Sequence, residues 1–151
     1  MMPEYIIRPM TEADTYEVSE IEKKIFSLPW SQKSFADACA NEDNIYLVCI
    51  CGGKIAGYCG AWTVLGEGNI TNMAVSLDFR RMGIAKSLME AVEQYGTDKK
   101  IESYFLEVRK SNGAAISLYT KMGYKDIGAR KNFYEKPVED AVIMSKTMQL
   151  D

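Results

Sequence analysis

The fold is decided by residues 72–88, NMAVSLDFRRMGIAKSL, which run from an apolar segment through a basic one into a helical pattern. Met73-Ala74-Val75 has the composition of a buried strand. Arg80-Arg81-Met82-Gly83 then forms a basic segment with one glycine. Apolar residues from Ile84 to about Tyr95 recur at helical spacing. The stretch therefore predicts a strand, a tight loop and the start of an amphipathic helix.

The start of that helix is a candidate phosphate site. A helix N-terminus exposes unpaired backbone N–H groups, and the helix dipole makes that end positive. Gly83 lets a ligand approach the backbone closely because no Cβ stands in the way. The segment is neither a Walker loop nor a G-x-G-x-x-G dinucleotide loop. By itself, R-x-x-G-x-A also fits a basic loop ahead of an ordinary helix.

Composition bounds the possible functions. The chain has 151 residues, 47% of them hydrophobic and 26% charged, which predicts one globular domain over residues 1–151. Its net charge of −3 gives no bulk attraction to nucleic acid or to an anionic membrane. It contains no histidine. Any general acid or base must therefore be Asp, Glu, Lys, Tyr or Cys.

The cysteines and the chain start predict a cytoplasmic protein. The four cysteines form no C-x-x-C pair, so we expect no metal site, and reduced cysteines indicate a reducing compartment. Met1–Tyr5 lacks the basic and apolar regions of a signal peptide. No apolar stretch reaches the roughly 18 residues of a membrane span. We expect a monomer or a weak dimer.

The secondary-structure pattern predicts an α/β (α+β) fold with a mixed, mostly antiparallel seven-stranded sheet flanked by four helices. The predicted order is β-α-α-β-β-β-α-β-α-β-β. Thr11–Asp14 has the form of a capping box, Ser31 and Asn112 are candidate N-caps, and Gly123 is a candidate C-cap. The last two strands are predicted at Tyr124–Ala129 and Ala141–Met148.

Two motifs in these contexts resemble those of the GCN5-related N-acetyltransferase (GNAT) family. Arg80–Ala85 after a strand resembles its motif A, [RQ]-x-x-G-x-[GA]. Leu106–Asn112, with the helix after it and Gly123-Tyr124, resembles its motif B. Phe26–Ser31, Leu106–Arg109 and Arg130–Tyr134 further resemble the bacterial branch that acetylates the N-terminal alanine of a small-subunit ribosomal protein. Phe133, where a second tyrosine is common, and the short loop at 135–138 depart from that branch.

The resemblance implies that acetyl-CoA is a cosubstrate and assigns its contacts. The backbone of Met73 and Val75, in the strand with Ala74, would bind the pantetheine amides, and Asn112 would bind pantetheine, cap its helix, or do both. The amides that would hold the diphosphate belong to Arg81, Met82, Gly83, Ile84, Ala85 and Lys86.

The same resemblance implies the catalytic pair. Glu107 is the best available base, directly or through a water, although a strand glutamate also fits a salt bridge. Tyr119 is a candidate acid for the departing thiolate, although it also fits a core position.

For the acceptor, the resemblance places Asn132 and Tyr134 in a loop over the bound peptide, and the alternative is a solvent-facing hairpin tip. Phe26, Leu28 and Trp30 form a bulky corner that either staples two helices together or walls a substrate cleft.

Three functions remain open at this stage. The first is acetylation of a protein N-terminus, with a ribosomal protein as partner. The second is the same chemistry on a lysine, a polyamine or an aminoglycoside, for which Glu67, Glu135 and Glu139 would supply an acidic cleft. The third is a module that binds acyl-CoA without turnover.

Overall fold

The computed structural model describes residues 4–149. Three residues at the start and two at the end of the predicted domain therefore lie outside the description, as does most of the segment used to argue against a signal peptide. No helix among the described residues is both long and apolar enough to cross a bilayer.

The seven strands and four α-helices follow the predicted order. The strands are β1 (Tyr5–Pro9), β2 (Ile45–Cys51), β3 (Lys54–Val64), β4 (Glu67–Val75), β5 (Ser103–Arg109), β6 (Lys125–Tyr134) and β7 (Glu139–Thr147). The helices are α1 (Thr15–Ile25), α2 (Gln32–Ala40), α3 (Ile84–Asp98) and α4 (Gly113–Lys121). Short 3-10 turns precede α1 and follow β4.

All strands form one sheet in the order β1-β2-β3-β4-β5-β7-β6. Every neighbouring pair is antiparallel except β4 and β5, which are parallel, so the predicted mixed, mostly antiparallel sheet is confirmed. The parallel pairing extends only over Glu67–Asn69 and Ser103–Phe105. Beyond this point the two strands separate, and the sheet opens into a cleft.

The predicted capping residues form their bonds. The Ser31 hydroxyl accepts a hydrogen bond from the amide of Ser34 at 3.1 Å, and Oδ1 of Asn112 accepts one from the amide of Ala115 at 3.2 Å. Thr11 and Asp14 form the capping box, and Gly123 follows α4 with φ 99°. These bonds satisfy helix-end amides that would otherwise lack partners.

Two apolar cores lie on opposite faces of the sheet. Along β2, Leu47 and Cys49 belong to the core that includes α3, whereas Tyr46 and Val48 belong to the core that includes α1 and α2. Neighbouring side chains in a strand point to opposite faces, which explains this alternation. The central strands are buried on both sides and hold the cleft in a rigid frame.

The end of β6 differs from the prediction. The strand continues past Ala129 to Tyr134, so Asn132 and Tyr134 end a strand, and the connecting loop is residues 135–138. The extension is irregular, because the pairing with β7 shifts register between Arg130 and Tyr134. Every residue of β6 before Tyr134 is exposed, so no hydrophobic alternation marked this part as a strand.

Tyr104 on β5 is held between two glycines. A Cβ on Gly68 would lie 2.7 Å from its ring, and a Cβ on Gly96 of α3 would lie 1.8 Å from its hydroxyl oxygen. Tyr104 is fully buried, so it cannot move aside without disturbing the packing of α3 on the sheet.

We expect Gly96→Ala to lower the free energy of unfolding by about 1 to 3 kcal/mol, because the added methyl group overpacks the contact with Tyr104. Helix propensity alone predicts the opposite sign, since alanine favours a helix over glycine by about 1 kcal/mol. Urea unfolding measures the effect. Gly113→Ala is the control, because a Cβ there meets nothing within 4 Å. Equal stability of the two variants would contradict the packing argument.

Candidate active site

A cleft of about 670 Å³ lies where β4 and β5 separate. Its sides are residues 70–73 of β4 and residues 106–109 of β5, and it is bounded by the α1–α2 connection, the start of α4 and the β6–β7 loop. Side chains from five parts of the chain therefore meet in one space, as such sites commonly require.

Glu107 lies in this cleft. In β5 the side chains of Leu106 and Val108 are buried, and strand alternation turns Glu107 to the other face, where its side chain is about one-third exposed. Nε of Arg130 lies 3.7 Å from Oε1 of Glu107. Glu107 thus lies in the cleft and forms a salt bridge, so both arrangements considered from the sequence are present.

Tyr119 of α4 lines the same cleft and is 8% exposed. Burial raises the pKa of its phenol. The hydroxyl therefore keeps its proton at neutral pH, although the raised pKa makes it a weaker acid than an exposed tyrosine. Asn112, at the start of the same helix, also lines the cleft, although its Oδ1 already caps α4.

The loop before α3 has the features of an anion site. Arg81 and Gly83 both have positive φ, 66° and 76°, which curls the backbone ahead of the helix. Within the described chain no side chain caps α3, and its first turn holds no acidic residue. A Cβ at Gly83 would meet nothing within 4 Å, so the space in front of the amides is open. These residues fit a diphosphate.

The anion loop and the catalytic candidates occupy separate places. Met73 of β4 lines the cleft, Ala74 is buried against the α1–α2 layer, and Val75 accepts a hydrogen bond from Nε of Arg80 at 3.2 Å. Residues 81–86 do not line the cleft. A ligand that occupies both places must be extended and must follow β4.

The bulky corner forms one wall of the cleft. Phe26, Leu28 and Trp30 all line it. The Trp30 ring packs 5.3 Å from Phe35 and 6.2 Å from Trp62, measured between ring centroids. The corner therefore lines the cleft, and through Trp30 it also packs on α2, as the staple interpretation predicts.

The two residues predicted to cover the acceptor have different positions. Tyr134 lines the cleft, and burial, together with the charge of Glu107, raises its pKa to about 12. Asn132 does not line the cleft, and its backbone amide donates to Asp140 at 2.9 Å. Phe133, noted in the sequence only as a departure, lines the cleft in its place.

Arg109 fixes the loop over the cleft. Its guanidinium donates to the carbonyl oxygens of Pro137 and Glu135, both at 3.0 Å, and to Oε1 of Glu139 at 3.1 Å. It also lies 4.5 Å from the centre of the Tyr134 ring. A planar donor with five N–H groups can hold all of these partners at once. The sequence marked Arg109 as part of a motif but gave no sign of this role.

Two buried polar residues of the cleft wall, Glu22 of α1 and Asn72 of β4, were not predicted. In the sequence, Glu22 is one of several charged residues on an amphipathic helix, and nothing distinguishes it from the exposed ones. Only the packing of α1 on the sheet reveals that it is buried. Among the described residues no cluster of three His, Cys, Asp or Glu side chains forms a metal site.

Known proteins resemble this chain over most of its length. The profile of the Acetyltransferase (GNAT) family matches residues 15–124. A Bacillus subtilis protein, provisionally named a ribosomal protein bS18-alanine N-acetyltransferase, is 37% identical over 94% of this chain and 95% of its own length. The Escherichia coli K12 ribosomal protein bS18-alanine N-acetyltransferase is 33% identical over 92% and 95% of the two chains.

Solved structures agree with the sequence comparison. The crystal structure of the E. coli ribosomal-protein-S18-alanine N-acetyltransferase superimposes with a TM-score of 0.90 and 30% identity, covering 98% of this chain and 96% of that one. That of Ard1 from Thermoplasma volcanium gives 0.88 and 26%, covering 97% and 99%. With the family profile matched over most of its length, this chain belongs to the Acetyltransferase (GNAT) family and is an N-acetyltransferase.

Proposed function

We propose that this enzyme transfers acetyl from acetyl-CoA to the α-amino group of a protein N-terminus, and that its acceptor is the N-terminal alanine of a small-subunit ribosomal protein. The observation that carries the proposal is the meeting of Glu107 and Tyr119 in one cleft at the divergence of β4 and β5. The names of the bacterial relatives support the acceptor. A cytoplasmic location and a monomeric or weakly dimeric state stay predictions.

Acetyl-CoA would lie along β4. Beyond Asn69 this strand does not pair with β5, so the backbone of Met73 and the amide of Val75 would pair with pantetheine as an added strand does, while the Val75 carbonyl accepts from Nε of Arg80. The amides of Arg81–Lys86 would hold the diphosphate at the uncapped start of α3. This path delivers the thioester to the cleft.

The chemistry balances with the residues present. Glu107 takes a proton from the α-ammonium group, and the neutral nitrogen attacks the thioester carbon. A C–N bond forms and the C–S bond breaks. The sulfur takes the phenol proton of Tyr119, and the second proton lost by the nitrogen restores the phenol. Glu107 releases its proton to solvent. Water can mediate the transfers to and from Glu107.

An α-amine suits a site without histidine. At pH 7.4 roughly a quarter of α-amines with a pKa near 7.8 are neutral, compared with about 0.1% of lysines at 10.4. A small cationic acceptor has less support from the structure. Of the three glutamates predicted for it, Glu67 does not line the cleft, and Glu139 is already bound to Arg109 and to the Ser111 amide, which leaves Glu135.

Two peptides that share one internal lysine and differ only at the N-terminus test the acceptor. We expect release of free CoA thiol with the peptide that begins with a free alanine, and release that is slower by about 10²-fold or more when that alanine is blocked. Mass spectrometry locates the acetyl group. Equal rates would reject the N-terminal acceptor in favour of a lysine.

Glu107→Gln and Tyr119→Phe each remove one proton-transfer group and keep the shape of the side chain. We expect each to lower kcat by about 10²- to 10⁴-fold, because general acid–base catalysis contributes that much. The Kd for CoA, measured by calorimetry, should be unchanged. Wild-type turnover in both variants would refute the proposed roles.

Gly83→Val should weaken CoA binding at least about tenfold, or about 1.4 kcal/mol, because its side chain enters the open space before the α3 amides and disfavours positive φ. Gly53→Val is the matched control. Gly53 has φ +77°, close to the +76° of Gly83, and a Cβ there also meets nothing within 4 Å, but it lies in the β2–β3 turn. Equal CoA affinities of the two variants would reject the phosphate site.

A further inference from the structure

A buried carboxylate lies in the cleft wall without a positive partner. Glu22 is 3% exposed, and it lines the cleft that holds Glu107 and Tyr119. None of the ion pairs within residues 4–149 includes it. A buried charge is costly unless it is paired, so this carboxylate needs an explanation.

All the groups that hold Glu22 are neutral. Its Oε2 accepts a hydrogen bond from the backbone amide of Trp30 at 2.9 Å, and its Oε1 accepts one from the hydroxyl of Tyr58 at 2.7 Å. The side chain of Asn72 is a third partner. Burial raises the pKa of Glu22, and these donors oppose that shift. They orient the carboxylate, but they bring no positive charge.

Asn72 supplies a second unsatisfied group at the same wall. It is 6% exposed, and its Oδ1 has no hydrogen-bond partner. The amide NH₂ is the group that suits the Glu22 carboxylate, since an oxygen in that place would repel it. The unsatisfied oxygen is itself covered by protein, so it adds a second uncompensated acceptor beside the Glu22 carboxylate in the cleft wall.

We propose that the Glu22 carboxylate binds the protonated α-amine of the acceptor. An ammonium group brings the missing positive charge and an N–H donor for the carboxylate. Glu107 then removes a proton that is not bound to Glu22. This inference rests on the proposed function, because it takes the acceptor to be an α-amine. Glu22 is then a substrate-binding residue that acts before chemistry.

The structure also offers a purely architectural role for Glu22. Through the Trp30 amide it ties the α1–α2 connection to β3, and Trp30 is part of the cleft wall. The two roles predict different ligand dependence. If Glu22 only holds Trp30 in place, its loss lowers the affinity for every peptide equally. If its charge binds the amine, its loss lowers the affinity only for peptides that carry an ammonium group.

The test therefore compares two peptides bound to the enzyme–CoA complex, which cannot react. One begins with alanine, and the other has propionyl in place of that alanine, so it lacks only the ammonium group. We expect the wild type to prefer the first by about tenfold or more. Glu22→Gln should reduce the preference to within about twofold, with the Kd for CoA unchanged.

Glu17→Gln is the control, because it removes a carboxylate from the same helix. Glu17 holds the Ile55 amide at 2.6 Å and does not line the cleft. We expect it to keep the full preference. Urea unfolding checks that Glu22→Gln stays folded, because removal of the buried charge favours the variant, whereas its single side-chain oxygen can accept from only one of Trp30 and Tyr58.

Each other outcome overturns the ammonium site. If Glu22→Gln weakens both peptides equally, Glu22 is only a tie for the Trp30 wall. If wild type acetylates the alanine peptide but binds both peptides alike, this site is wrong while the proposed function stands. If wild type does not acetylate that peptide at all, the proposed function fails and the ligand assigned to this site fails with it.

Discussion

The early separation of β4 from β5 is the constraint on which the site depends. Two parallel strands that paired along their whole length would satisfy each other's backbone groups and close the sheet. Here the pairing ends after Asn69 and Phe105. Residues 70–73 of β4 and Glu107 of β5 line the cleft that this separation leaves. The cleft that holds the proposed catalytic pair thus arises from one feature of the sheet.

Charge is distributed along this opening in an order that suits the reaction. The loop before α3 carries Arg80 and Arg81 and an uncapped helix end, which attract phosphate. The cleft carries the carboxylates of Glu22 and Glu107, which attract an amine. Arg109 adds its positive charge to neither place, since its guanidinium is bound to the β6–β7 loop and to Glu139. Under the proposed function, the phosphates of the donor are therefore attracted to the loop before α3 and the amine of the acceptor to the cleft.

The features that could be predicted from the sequence are those that depend on neighbouring residues in the chain. Side-chain caps at Ser31 and Asn112, the glycine after α4 and the periodicity of α3 gave the order of elements, and two motifs gave the family. Sequence reasoning missed the end of β6, which is exposed and is held by pairing with β7. It also missed Glu22 and Asn72. Both are ordinary polar residues in their own segments, and they meet only when α1 packs on the sheet.

Glu22 and Asn72 are buried although burial of an unpaired charge or an unsatisfied polar atom lowers the stability of the fold. Local rules favour an apolar side chain at a position that is 3% exposed, and apolar neighbours such as Val18 and Ile21 follow those rules on the same helix. Glu22 breaks them beside a cleft, together with an unsatisfied Asn72 oxygen. Departures of this kind are expected where a ligand completes the bonding. If Glu22 binds the acceptor amine as proposed, the ammonium group offsets the electrostatic cost of this buried carboxylate, and that offset contributes to the affinity for an amine.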